Sequence, residues 1–191
     1  MKNGSAPLSL EELANGYCLL MANGYRLIED GEKLSAQKRF LGALGCFEAA
    51  SEELARGHLL TRAVLLEDDD VDGWRRFWAI YEDRLALRKL LEDEVHHEIY
   101  KNEDARRRYN RAFPLLGLDF THIRFEKNGD RFLPPGEPAA GYSIDETARI
   151  YYEYVLGLYH GLNFYGLPNP ATQVQTFWGL RAGHRNRSLA R

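Results

Sequence analysis

Two adjacent carboxylates, Glu52 and Glu53, stand three and four residues before Arg56, and a third acid, Glu48, lies four residues before Glu52. A carboxylate can take a proton or hold a cation, and a guanidinium can hold an anion. Spacings of three and four put such groups on one face of a helix. The surrounding stretch, 40–66, carries Leu41, Leu44, Phe47, Leu54, Leu59, Leu60, Ala63 and Val64 at the helical period. Gly42, Ala43, Gly45, Ala49 and Ala50 leave little bulk on its first half, so a neighbouring helix can come close. An acid carried to the buried side of such a helix must be paired, or its carboxyl holds its proton more tightly. At least one of these glutamates is therefore expected to be half-buried and paired with a base from another helix.

Three further groups bear on chemistry. Glu94-Val95-His96-His97 contains Glu-x-x-His, whose spacing puts both side chains on one helical face. Helical di-metal proteins use this motif twice, with two more glutamates. Here it occurs once, and Glu48, Glu52 or a Glu153/His160 pair would have to complete it. A solvated polar face is the simpler reading, so no metal and no cofactor is expected. Asp68, Asp70, Asp72 and Gly73 open like a calcium loop, but its twelfth position is Ala79 rather than a bidentate acid. These acids read as caps for the helix that follows. Arg106, Arg107, Arg108 and Arg111 surround Tyr109, a combination suited to phosphate contact and base stacking, and form a candidate RNA-binding run. There is no P-loop, no Gly-x-Ser-x-Gly and no zinc-like cysteine spacing. Cys18 and Cys46 sit in apolar helical stretches and read as free thiols in a reducing cytoplasm.

The elements that must position these groups are mostly helical. Residues 1–8 read as a loose leader, and Ser9 with Glu12 fits a capping box. The first helix is expected to run to about Glu29 and to end at Asp30-Gly31, with the central helix after a short turn. Gly16, Gly24, Gly42 and Gly45 inside helical pattern suggest close helix packing, since each costs about 1 kcal/mol against Ala. A third helix begins near Trp74 and presents Trp74, Phe77, Trp78, Tyr81, Leu85 and Leu87; its pattern continues through Leu90 and Val95 to Ile99, with Arg84 on a solvated face. Residues 115–141 read as an excursion containing a short hairpin turned at Asn128-Gly129. Ser143 and Glu146 cap a tyrosine-rich helix to about Leu162, Gln173 to Leu180 forms a short helix, and 184–191 is a basic, mobile tail. The sum is a mainly α protein. It is expected to form one domain over 1–191: an antiparallel helical bundle of about four to six helices with one short β-hairpin excursion. A net charge of −3 provides no global field toward nucleic acid or membrane. No charged-then-apolar leader and no run of about 18 apolar residues occurs, so neither secretion by signal peptide nor a membrane span is expected.

Several segments together resemble the AbiV family of bacterial abortive-infection proteins, within the helical HEPN superfamily. The likeness begins at Ala14-Asn15 and strengthens at Ala49-Ala50-Ser51-Glu52-Glu53-Leu54-Ala55-Arg56, similar to that family's Ala-x-Glu-Glu-Leu-Gly-Lys pattern. It continues at Trp74-Arg75-Arg76-Phe77-Trp78 and more faintly from Ile123 to Pro135. Arg56 stands where the family often has Lys, and no His lies near Arg84. None of the six histidines follows an arginine by five to seven residues, the arrangement many HEPN ribonucleases carry. The resemblance therefore implies a fold and a defence role more than ribonuclease activity. RNA cleavage of that kind needs a base near the ribose 2′-hydroxyl and a cation for the phosphate. Glu52 or Glu53 with Arg56 could fill those roles, with His97 as a second acid or base. The first expectation is thus an abortive-infection effector acting on RNA or translation. The second is a non-catalytic helical protein that binds a phage or host protein, and the third a carboxylate-metal enzyme. The aromatic faces at Trp74–Tyr81 and Tyr151–Tyr159 are candidate homodimer surfaces.

Overall fold

The computed structural model describes residues 6–87, 89–90, 131–132, 142–162 and 169–189. These are mainly helical: α1 (Leu10–Ala36), α2 (Phe40–Ala63), α3 (Val71–Glu82), α4 (Ile144–Leu162) and α5 (Pro170–Leu189), with β1 (Arg131–Phe132) and β2 (Tyr142–Ser143). Among the described residues no helix is long and apolar enough to cross a membrane.

The capping chemistry read from the sequence sets the start of α1. The Ser9 N–H donates to Glu12 Oε2 at 2.9 Å, and the Glu12 N–H donates to Ser9 Oγ at 3.2 Å. The end of α1 differs from expectation. Gly31 lies inside the helix, where an added Cβ would run into the Phe47 ring, so this glycine serves a close approach and not a stop. The helix instead closes at 37–39. The Arg39 N–H reaches Leu34 O at 2.9 Å, the Lys38 N–H reaches Ser35 O at 2.9 Å, and Lys38 takes the left-handed φ of 59°. This is a Schellman closure with lysine where glycine is usual.

Asp70 caps α3, its side chain accepting from the Gly73 N–H at 2.8 Å, as the capping reading of the acidic loop requires. The helix does not run on from Trp74 unbroken. Asp83 is extended (φ −101°, ψ 110°), and its carboxylate accepts from the N–H groups of Leu85 at 2.9 Å and Ala86 at 3.3 Å. A short acid that can satisfy free amides favours a new start over continuation. A separate helical stretch therefore begins at Arg84; residues 91–99 lie outside the described residues.

The chain divides into two compact units, Met1–Gly24 with Glu52–Leu91 and Leu162–Arg191, and Tyr25–Ser51 with Glu92–Gly161. In the first, the front of α1 runs antiparallel to the back of α2. A Cβ on Gly16 would meet Leu60 at 3.0 Å, and one on Gly57 would meet Met21 Sδ at 3.3 Å. α5 joins through Phe177, edge-on to Tyr17 at 5.9 Å. Leu13, Leu54, Val64 and Trp74 complete that core. In the second unit Phe47 stacks on Tyr152 at 5.5 Å and Tyr25 on Tyr159 at 5.2 Å, around buried Leu44, Tyr151 and Val155. Each such burial contributes about 1.5–3 kcal/mol. The close-packing reading of the helix glycines holds for Gly16 but not for Gly45, which is exposed with nothing within 4 Å of an added Cβ. In the two aromatic faces considered for dimer contact, Trp74, Phe77, Tyr151 and Tyr159 are buried in the cores, and Trp78, Tyr81 and Tyr152 are half-buried.

Two further expectations change. The described residues give no support to a hairpin turned at Asn128-Gly129, a turn that lies outside them. Arg131–Phe132 pairs antiparallel with Tyr142–Ser143 instead. The C-terminal segment is not a short helix with a loose tail. Asn169 caps Ala171 N–H at 3.0 Å, Pro170 takes the first helical position, and α5 continues to Leu189.

Candidate functional site

The α2 register that buries Leu54 and Ala55 also carries Glu52 inward, to 8% exposure. Arg84, at the start of the stretch that Asp83 caps, donates from Nε to Glu52 Oε1 at 2.7 Å, and its Nη2 contacts the same oxygen. Arg56 approaches the other oxygen from within α2, with Nη2 3.8 Å from Glu52 Oε2. Its Nη1 donates to Glu53 Oε1 at 3.2 Å. The Arg56 guanidinium also lies 5.9 Å from the centre of the Tyr81 ring, within cation–π range. Tyr81 packs against Phe77 at 5.8 Å and Trp78 at 5.7 Å. Burial pushes the Tyr81 phenol up from its ordinary value, Arg56 opposes the rise and Glu53 adds to it. The expected pairing of a buried glutamate with a base from another helix is thus Glu52 with Arg84, and burial is deeper than half.

The arrangement is two carboxylates balanced by two guanidiniums beside a neutral phenol. Glu52 Oε1 accepts from Arg84, so this carboxylate ties α2 to the stretch after α3, while Oε2 has the Arg56 guanidinium nearby at 3.8 Å. The Arg84 side chain is 60% exposed, so the network reaches the surface at this residue. Of the residues singled out from sequence, Glu52, Glu53 and Arg56 come together. His97, Arg106, Arg107, Arg108, Tyr109, Arg111 and the Glu94 motif lie outside the described residues. Among the described residues no three His, Cys, Asp or Glu side chains gather as metal ligands.

Arg84 is exposed, as its place on a solvated face leads one to expect, but sequence reasoning missed its bond to Glu52 and left Tyr81 in an apolar stripe. The available signal was Asp83, whose capping habit breaks the helix and redirects the next residue. Reasoning from sequence also missed Arg181. This arginine is buried and donates from Nε to Val64 O at 2.9 Å and from Nη2 to Leu66 O at 3.0 Å, closing the carbonyl end of α2. One turn on, Arg185 Nε donates to Glu67 Oε1 at 3.0 Å. The thiols of Cys18 and Cys46 are both pushed up, chiefly by burial, which disfavours the reactive thiolate.

Searched against protein families, curated proteins and solved structures, the chain finds no match.

Proposed function

We propose that the protein is a phage-defence effector of the abortive-infection kind that works by binding a phage or host partner, with the Glu52–Arg84–Arg56–Glu53 network framing the binding surface. The observation that carries this reading is the occupation of Glu52: a buried carboxylate held by two arginines is a tie between helices, not a free base. The likeness of the 49–56 and 74–78 segments to the AbiV pattern supports the defence role. Action on RNA or translation is the second reading, favoured by the 60% exposed Arg84 side chain, which brings positive charge of the network to the surface. The antiparallel bundle, a cytoplasmic setting and self-association belong to the same proposal.

The test is RNA integrity and phage protection in cells expressing wild type or a Glu52→Ala/Glu53→Ala/Arg56→Ala variant that retains its helical circular dichroism. Binding without cleavage predicts intact RNA in both, during infection as well, and protection by wild type. Fragmented rRNA, tRNA or mRNA with wild type alone makes the network a nuclease site and overturns the binding reading.

A further inference from the structure

The segment ahead of α1 reaches the aromatic face of α3 that adjoins the candidate site. Trp78 donates from Nε1 to the carbonyl of Ala6 at 2.9 Å, across 72 positions of the chain. Ala6 and Pro7 are exposed and Leu8 is half-buried. Before the Ser9–Glu12 cap, no other hydrogen bond ties these three residues to the described residues. Trp78 and Tyr81 share a face of α3, three residues apart, with ring centres 5.7 Å apart. The Arg56 guanidinium lies 5.9 Å from the Tyr81 ring centre and contacts Glu52 and Glu53 on its other side. Segment 6–8, indole, phenol ring and guanidinium therefore form one line that ends in the ion-pair network.

Trp, Tyr and Arg are the residue types that carry most of the energy at protein interfaces. Here one of each stands in a row, and all three are half-buried, placed by their neighbours and only partly covered. What holds segment 6–8 at the end of that row is weak. A single hydrogen bond open to water favours a closed arrangement over an open one by about two- to tenfold. The open form is then a minor state of roughly 10–30%, which a competing ligand can capture. We propose that residues 6–8 are an autoinhibitory strap: they occupy the Trp78 indole N–H, and the binding partner takes that donor when the strap lifts. Only the partner rests on the recognition role proposed above; the strap is a feature of the fold. A partner that must wait for the open form binds about three- to tenfold more weakly than it would to the uncovered row.

Indole N–H exchange, followed on the full chain by heteronuclear NMR, tests the strap, with the 59% exposed Trp178 as internal reference. In wild type the Trp78 indole proton exchanges about three- to tenfold more slowly than that of Trp178. Pro7→Gly/Leu8→Gly gives the detached segment more freedom and raises the Trp78 rate to that of Trp178. The Ser9–Glu12 cap is untouched, and far-UV circular dichroism checks that the helices remain. Equal indole rates in wild type, or a Trp78 rate that the double substitution does not raise, overturn the strap. In cells titrated with inducer, the same variant protects against phage at a protein level about three- to tenfold below that of wild type. Unchanged or weaker protection alongside faster Trp78 exchange overturns the competition with a partner. A wild type that never protects refutes the defence role instead, and the strap then stands or falls on the exchange rates alone.

Discussion

Replacing Glu52 by Gln removes one charge and keeps the shape, and the structure sets the size of the effect. Removing one partner of a fully buried ion pair costs about 3–5 kcal/mol, because the other charge is stranded. Neither arginine is fully stranded here. Arg56 keeps Glu53 at 3.2 Å, and the Arg84 side chain, 60% exposed, can turn to water. The amide oxygen of Gln still accepts one of the lost hydrogen bonds. What remains is the difference between charged and neutral hydrogen bonds in a pocket where residue 52 is 8% exposed, about 1.5–2.5 kcal/mol in all. Glu53, with a more exposed side chain and its contact to Arg56, loses only about 0.5–1 kcal/mol on the same change. Urea unfolding followed by far-UV circular dichroism measures both, with an unchanged slope showing that the unfolded state is the same. A double-mutant cycle with Arg84→Gln isolates the tie itself, expected at about 1 kcal/mol. A coupling near zero, or a larger loss at position 53 than at 52, refutes the argument that Glu52 anchors the stretch after α3.

Two glycines give opposite results for one substitution. Gly31→Ala destabilises by about 1–3 kcal/mol, because the new methyl meets a rigid Phe47 ring, whereas Gly45→Ala stabilises by about 0.5–1 kcal/mol, because it meets nothing; thermal unfolding of the pair checks both signs. The Glu67 carboxyl is held below the usual glutamate range, chiefly by its hydrogen bond from Arg185, with burial opposing and the arginine charges assisting. A lowered folded-state value adds stability above the ordinary glutamate pKa of about 4.3, and that stability is lost as pH falls through the lowered value. Urea midpoints measured down that acid range therefore fall less steeply for Glu67→Gln than for wild type, and equal slopes would break the link to Arg185.

What the sequence disclosed and what it hid divide along a physical line. Ser9 with Glu12, Asp70 with Gly73 and the inward glutamate were legible because each depends on residues a turn or less apart, or on a periodicity one helix carries by itself. The misreadings all concern what a residue meets from elsewhere in the chain. Gly31 looks like a stop until Phe47 is seen against it, and Lys38 closes the helix in a conformation its residue type does not advertise. Arg185 looks like loose basic tail, and Arg181 attracts no reading at all, until the Glu67 carboxylate and the carbonyls of Val64 and Leu66 are found opposite them, more than a hundred residues earlier. The candidate site follows the same rule. Its acids and Arg56 could be read within α2, but the residue that fixes its character is Arg84, 32 positions from Glu52 and aimed by a break at Asp83. That arginine is the base from elsewhere in the chain that the buried Glu52 was expected to meet, and no periodicity within α2 could name it.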